Sequence, residues 1–370
     1  MKALVSCFCF FICVAFFVTK PISKEIDNQL FFIERGINLN NWLEIKTLDT
    51  LTLDTMCSRA KIDFLKELGF DHVRIPVSEE NLFDDDLNFR GNVIAVLDDR
   101  IEYCIKLGMK VILDLHVTRD HHFGKDGSPL FINEKSKARF FEIWEKLQNV
   151  LMRYPIDFLA YECLNEPAAP KESHDVWNDL VSNWISFIRK KEPERMLFIG
   201  SNRGNQLWTF KYLNLPKTDK NLMLTFHFYK PNVLTHYKAH WSSARYYEGP
   251  VVYPGSTIPQ DQFEKMPDSL KKKYAYAKEN FDINTMRLEI EKAVVVAKKY
   301  GLRLNVGEFG CRRTVPDSVR YSWFNDLVHV LRENNISYTL WGMNGAGFGI
   351  KNSSKEPDSL MVQMILPRKE

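Results

Sequence analysis

Short apolar runs and longer segments of helical spacing take turns along most of this chain. Residues 31–38 alternate apolar and polar positions and predict a first strand. Residues 57–68 place apolar side chains at helical spacing and stop at Gly69. A second strand follows at 72–77, a helix at 93–107 closed by Gly108, a third strand at 110–116 and a helix at 137–152. The run 158–164 is apolar apart from Glu162, as a buried parallel strand should be, and it breaks at Asn165-Glu166-Pro167. Downstream the pattern predicts a helix at 173–190 with Ser173 as its N-cap, a strand at 195–200, and a short helix or turn near 207–213. Strands at 222–229, 302–307 and 337–341 and helices at 282–300 and 317–334 complete the alternation, with a short closing helix at 357–366.

Eight strands alternating with helices across short connections predict an α/β chain closed into a (β/α)₈ barrel, one domain with elaborated loops at the C-terminal strand ends. A doubly wound open sheet is the competing arrangement, but no GxGxxG follows the first strand. Residues 231–280 are long, aromatic and poorly periodic, and read as a loop over the strand ends with local helix.

The first 20 residues break the pattern. Lys2 precedes an apolar run from 3 to 18, which reads as a signal peptide, so the rest, 21–370, is expected to be a secreted catalytic barrel. Sixteen apolar residues are marginal for a full membrane span. The 50 basic and 47 acidic side chains leave a formal net charge of +3 with no long basic block. That balance gives no reason to expect nucleic acid, or a membrane once the signal is removed, as a partner; a monomer is expected. Of seven cysteines, Cys57, Cys104, Cys163 and Cys311 remain after that segment. None has CxxC spacing, so no zinc site is expected, and buried thiols and a disulfide both stay open.

The ends of the predicted strands collect chemistry. Glu166 and Glu308 each close a strand, and Arg74, His116, Asn165, His227, Tyr229 and Trp341 stand at corresponding places. Singly, an arginine there is an ordinary ion pair and a histidine a satisfied core residue. Together at the ends of six strands, they face the mouth of a barrel, where such folds place their reactions. Two carboxylates remote in sequence but joined at one mouth suit glycoside hydrolysis.

The motifs Arg-Gly-Ile-Asn-Leu-Asn-Asn-Trp (35–42), Val-Arg-Ile-Pro (73–76), Asp-Leu-His (114–116), Leu-Asn-Glu-Pro (164–167), His-Phe-Tyr (227–229), Gly-Glu-Phe-Gly (307–310) and Leu-Trp-Gly (340–342) resemble glycoside hydrolase family 5, the cellulase-like retaining β-glycosidases. The resemblance covers residues 35–349 and implies Glu166 as acid/base and Glu308 as nucleophile, with no metal and no cofactor. It implies that Tyr229 contacts the nucleophile, that His227 lies near the acid/base, and that Asn165 binds the sugar 2-OH. His116 would bond other hydroxyls, and Trp341 would floor the reacting ring. Arg74 is expected to lower the pKa of Glu308. The implied substrate is a β-linked polysaccharide or oligosaccharide, a β-glucan first, with mannan, exo action or a non-catalytic carbohydrate-binding barrel as alternatives.

Weaker features stay apart. Arg119-Asp120-His121-His122 offers metal-binding residue types beside His116 and departs from the Pro-Gly pattern common after that strand in the family. Trp42, Trp208, Phe210, Tyr237, Trp241, Tyr246, Tyr247 and Tyr253 are expected at the rim, with Trp208 and Trp241 foremost as sugar platforms. Trp144, Trp177, Trp184 and Trp323 are expected to pack helices on the barrel. Asn335 and Asn352 begin glycosylation sequons.

Overall fold

A computed structural model describes residues 30–45, 49–123, 127–170, 173–343, 347–350 and 358–366. The 1–20 segment and Asn352 lie outside them. From Phe31 onward the chain forms one compact unit. No helix among the described residues is long and apolar enough to cross a membrane.

Eight strands close the predicted barrel: β1 (Arg35–Asn38), β2 (His72–Ser78), β3 (Lys110–Val117), β4 (Leu159–Glu162), β5 (Leu197–Gly200), β6 (Leu222–Phe228), β7 (Arg303–Phe309) and β8 (Ser337–Leu340). Each pairs in parallel with its neighbours, and β1 bonds β8 to complete the ring. Outside lie α1 (Arg59–Leu68), α2 (Gly91–Lys106), α3 (Glu134–Leu151), α4 (His174–Arg189), α5 (Ile283–Tyr300) and α6 (Asp317–Glu333), with α7 (Ser359–Ile365) last. Between β5 and β6 the full helix shrinks to the 3₁₀ turn Leu207–Tyr212.

Four indoles secure the helix layer, all buried as expected: Trp144, Trp177, Trp184 and Trp323. Trp144 Nε1 donates to the Cys163 carbonyl (3.2 Å) and Trp177 Nε1 to that of Gly200 (3.0 Å), so these rings also satisfy backbone just past β4 and at the end of β5.

Several boundaries differ from expectation. Residues 31–33 are not strand; Phe31 and Ile33 join Ile112, Ala160, Met196, Phe198 and Met223 in a small separate core, Phe31 meeting the Phe198 ring edge-on at 6.1 Å. An additional helix, Thr50–Met56, is capped by Asp49, which accepts from the Thr52 N–H at 2.7 Å. Ser173 holds the N-cap position, but its hydroxyl makes no capping bond. The 231–280 excursion contains short helices and a two-residue ribbon pairing Gly255–Ser256 with Asn280–Phe281. It is anchored at Thr235, whose carbonyl accepts from Arg312 N–H (3.0 Å), and at Tyr253, whose hydroxyl donates to Asp326 on α6 (2.8 Å). Cys57, Cys104, Cys163 and Cys311 are buried free thiols.

Candidate active site

Side chains alternate along a strand, so Ile112, Asp114 and His116 share one face of β3, His72 and Arg74 one face of β2, and Ala160 and Glu162 one face of β4. Arg74 sits at the centre, fully buried. Its Nε and Nη2 grip Glu162 in a two-pronged pair (2.7 and 3.0 Å), and Nη2 also reaches Asp114 Oδ2 (3.0 Å) and Asn165 Oδ1 (2.9 Å). Nη1 donates to Asn38 Oδ1 and to Glu308 Oε1, both at 2.9 Å. One guanidinium on β2 thus gathers groups from four other strands or their ends.

Glu308 is buried near the end of β7. Tyr229 donates its hydroxyl to Glu308 Oε2 at 3.1 Å. The β6–β7 ladder slips between Phe226 and His227, pairing His227 with Glu308. The residue skipped is Gly307, where a Cβ would lie 2.6 Å from Thr225 Oγ1; the bulge needs that missing side chain. His227 Nδ1 consequently faces both acids, 2.8 Å from Glu166 Oε1 and 3.5 Å from Glu308 Oε2.

Glu166 stands four residues past the end of β4, with φ of 42°, a left-handed conformation that strains a glutamate. The turn is held from both sides: Asn165 N–H donates to the Leu115 carbonyl (3.0 Å), and Gly204 N–H to that of Pro167 (3.0 Å). His121 Nε2 meets the Asn165 carbonyl at 3.1 Å and its Nδ1 meets Ser128 Oγ at 3.2 Å. His121 therefore supports this turn, while His122 bonds the Phe123 carbonyl at the surface. The two adjacent histidines diverge. Among the described residues, the three groups close enough to share a cation are instead Glu166, His227 and Glu308, one donor atom of each lying within 4.8 Å of the others.

Burial governs the titration of the site. It pushes the Glu166 carboxyl up to about 7 against the positive influence of His116 and Arg74. Burial also raises Glu308, opposed by His227 and Arg74. The expectation that Arg74 would leave Glu308 below its ordinary value is corrected: the guanidinium acts in that direction, but desolvation outweighs it. Burial depresses His227 to about 4, so its imidazole is neutral at neutral pH.

All eight expected residues converge here. His116 bonds Asp114 through Nδ1 (2.6 Å), lies 3.4 Å from Asn165 Nδ2, and stacks on Trp341 with centroids 5.7 Å apart. Asn38, Asp114, Glu162 and Asn205 were not anticipated; charged residues inside otherwise apolar strands were the available signal for two of them. Of the rim aromatics, Trp208, Trp241 and Tyr246 are exposed. Trp42, Phe210, Tyr237, Tyr247 and Tyr253 are buried and provide packing instead; Trp42 Nε1 is spent on the Leu53 carbonyl.

Known proteins resemble this chain in sequence and fold. A family profile described as cellulase (glycosyl hydrolase family 5) matches residues 35–347. Endoglucanase C of Acetivibrio thermocellus is 30% identical over 347 residues, covering 90% of this chain and 98% of that protein. Cellodextrinase A of Ruminococcus flavefaciens is 30% identical over 309 residues, covering 82% and 84%. The fold is shared with cellulose synthase subunit Z from Clostridioides difficile (TM-score 0.72, 24% identity, covering 90% and 100%). With the profile spanning nearly the whole barrel and relatives matched over most of their own length, the chain belongs to glycosyl hydrolase family 5 and is a glycoside hydrolase acting on β-glycosidic bonds.

Proposed function

We propose that this enzyme cleaves a β-glucan with net retention, Glu308 acting as nucleophile and Glu166 as acid/base. The carrying observation is that an oxygen of each carboxylate lies within 4.8 Å of the other, a gap suited to double displacement and well short of the roughly 6.5–9.5 Å by which inverting enzymes separate their two carboxyl groups. In the first step Glu308 attacks the anomeric carbon, the glycosidic C–O bond breaks, and Glu166 gives its proton to the departing oxygen. In the second, ionised Glu166 takes a proton from water, the water oxygen bonds the anomeric carbon, and Glu308 leaves.

The electrostatics suit this division. Glu166, raised to about 7, retains a proton at mildly acidic pH, while Arg74 and Tyr229 hold the charge of Glu308. The activity profile is accordingly bell-shaped: protonation of Glu308 sets the acid limb and ionisation of Glu166 the alkaline limb near pH 7. Asn165, fixed by Arg74, offers its amide N–H₂ to the sugar 2-OH, and Trp341 supplies the floor. Proton NMR of the first product tests the reading; release of the β-anomer supports it, and release of the α-anomer rules it out. A panel of β-1,4-glucan, β-1,3-glucan and mannan distinguishes the glucan reading from its alternatives. Residues 1–20 would direct secretion, which loss of export on their deletion would test.

The cluster Glu166, His227 and Glu308 also has the composition of a metal site. Arg74 beside Glu308 disfavours a second positive charge there, and chelator insensitivity is the expected outcome.

A further inference from the structure

Asn205 touches neither carboxylate, yet the geometry points to it as the residue that decides where the acid proton of Glu166 sits. It belongs to the turn after β5 in which Arg203, Gly204 and Asn205 all have left-handed φ (68°, 78° and 54°). Its Nδ2 lies 3.2 Å from His227 Nε2. An amide nitrogen only donates, so Nε2 must be a bare acceptor and the imidazole hydrogen must be on Nδ1. That hydrogen points at Glu166 Oε1, 2.8 Å away.

An oxygen that accepts this bond is the poorer place for the carboxyl proton. The proton therefore occupies Oε2, which faces Gly204, where even a Cβ would be about 4.0 Å off. Asn205 thus acts through His227 to aim the acid, as a positioning residue. Its amide has room because residue 200 is glycine: a Cβ there would come within 2.0 Å of Asn205 Oδ1. The same Oδ1 is buried and accepts no hydrogen bond. The amide is held by the space it fills and by the one bond to His227.

This inference rests on Glu166 being the acid, so the experiment keeps the two apart. Aryl β-cellobiosides are compared at one pH, one with a dinitrophenyl group that leaves unaided and one with a phenyl group that needs the proton. Glu166→Ala tests the acid assignment: it should cost about 10²-fold or more in the glycosylation rate with phenyl and little with dinitrophenyl. If both fall alike, that assignment goes and the role of Asn205 with it.

Asn205→Gly removes the amide without straining a backbone already at positive φ. It should lower kcat/KM about tenfold for the phenyl substrate and less than about twofold for the dinitrophenyl one. Equal losses on both, or no loss on either, would overturn the proposal. Asn205→Asp keeps the shape and tolerates the backbone, but it can only accept, which favours a second proton on His227. In ¹⁵N-histidine NMR the bare Nε2 signal assigned to His227 in the parent should disappear in this variant. Its persistence, or its absence from the parent, would equally sink the idea.

Discussion

The interior of this barrel has two floors built from the same strands, and they are made of opposite materials. On the lower one Ile112, Ala160, Phe198 and Met223 close over Phe31 and Ile33 as an apolar plug. Two residues further along β3 and β4 come Asp114 and Glu162, which with Glu308 surround Arg74. A strand's period of two turns a one-step climb into a change from dry core to charged site. The lower floor gains stability by removing apolar surface from water. The upper one spends stability, because three buried carboxylates face one guanidinium. Removing a residue below should weaken folding and spare chemistry, whereas above it should do the reverse or both.

The sharpest separation is Glu308→Ala, which should cut turnover by at least on the order of 10⁴-fold. Azide should restore rate by occupying the vacated face and yield a glycosyl azide of inverted configuration. Rescue with retained configuration, or none, would move the nucleophile elsewhere. Next comes Arg74→Met, which strands the buried charges of Glu162, Asp114 and Glu308. It should lose about 3–5 kcal/mol of stability as well as most activity. Phe198→Ala is its counterpart below, expected to cost about 3–5 kcal/mol in denaturant unfolding while the folded fraction keeps its kcat. Should Phe198→Ala abolish activity at full folding, the two floors are not separable.

Much of the barrel was legible because its strands are nearly continuous apolar runs and its helices end at Gly69, Gly108 and Gly301. The eight mouth residues were legible only as a set: each has an ordinary structural use alone, but seven polar side chains and Trp341 collected at the ends of six strands do not share one. What local pattern could not show was long-range competition. Phe31 and Ile33 alternate as a strand would, but they serve as a plug, since β1 already has neighbours on both edges without them. Tyr237 and Trp42 carry the composition of a rim, yet tertiary packing claims their rings and leaves Trp208 and Trp241 outside. The charge of Glu308 depends on how much water folding removes, which no spacing encodes. Asn205 is another such case: nothing around it in sequence announces that it will meet a histidine 22 residues later.

The gentlest variant tests whether the upper floor is overcharged. Asp114 Oδ2 accepts from both His116 and Arg74, while Oδ1 is buried and without a bond. Asparagine can keep both accepted bonds through its oxygen and lose only the charge. Burial pushes Asp114 up from its ordinary 3.8 to about 7, overriding Arg74. The native state then binds more protons than the unfolded chain between those values, so the parent loses stability as pH rises through that window. Asp114→Asn cannot titrate and escapes this loss. Its melting temperature should match the parent's near pH 4 and exceed it by a few degrees near pH 7. Activity should change little at mildly acidic pH, where Asp114 already carries its proton, and differ from the parent's only above about pH 7, where Arg74 and His116 lose a charged partner. A melting-temperature difference that stays flat or shrinks toward pH 7 would mean that Asp114 is ionised throughout. The guanidinium would then offset all three acids, and the upper floor would not oppose the stability supplied from below.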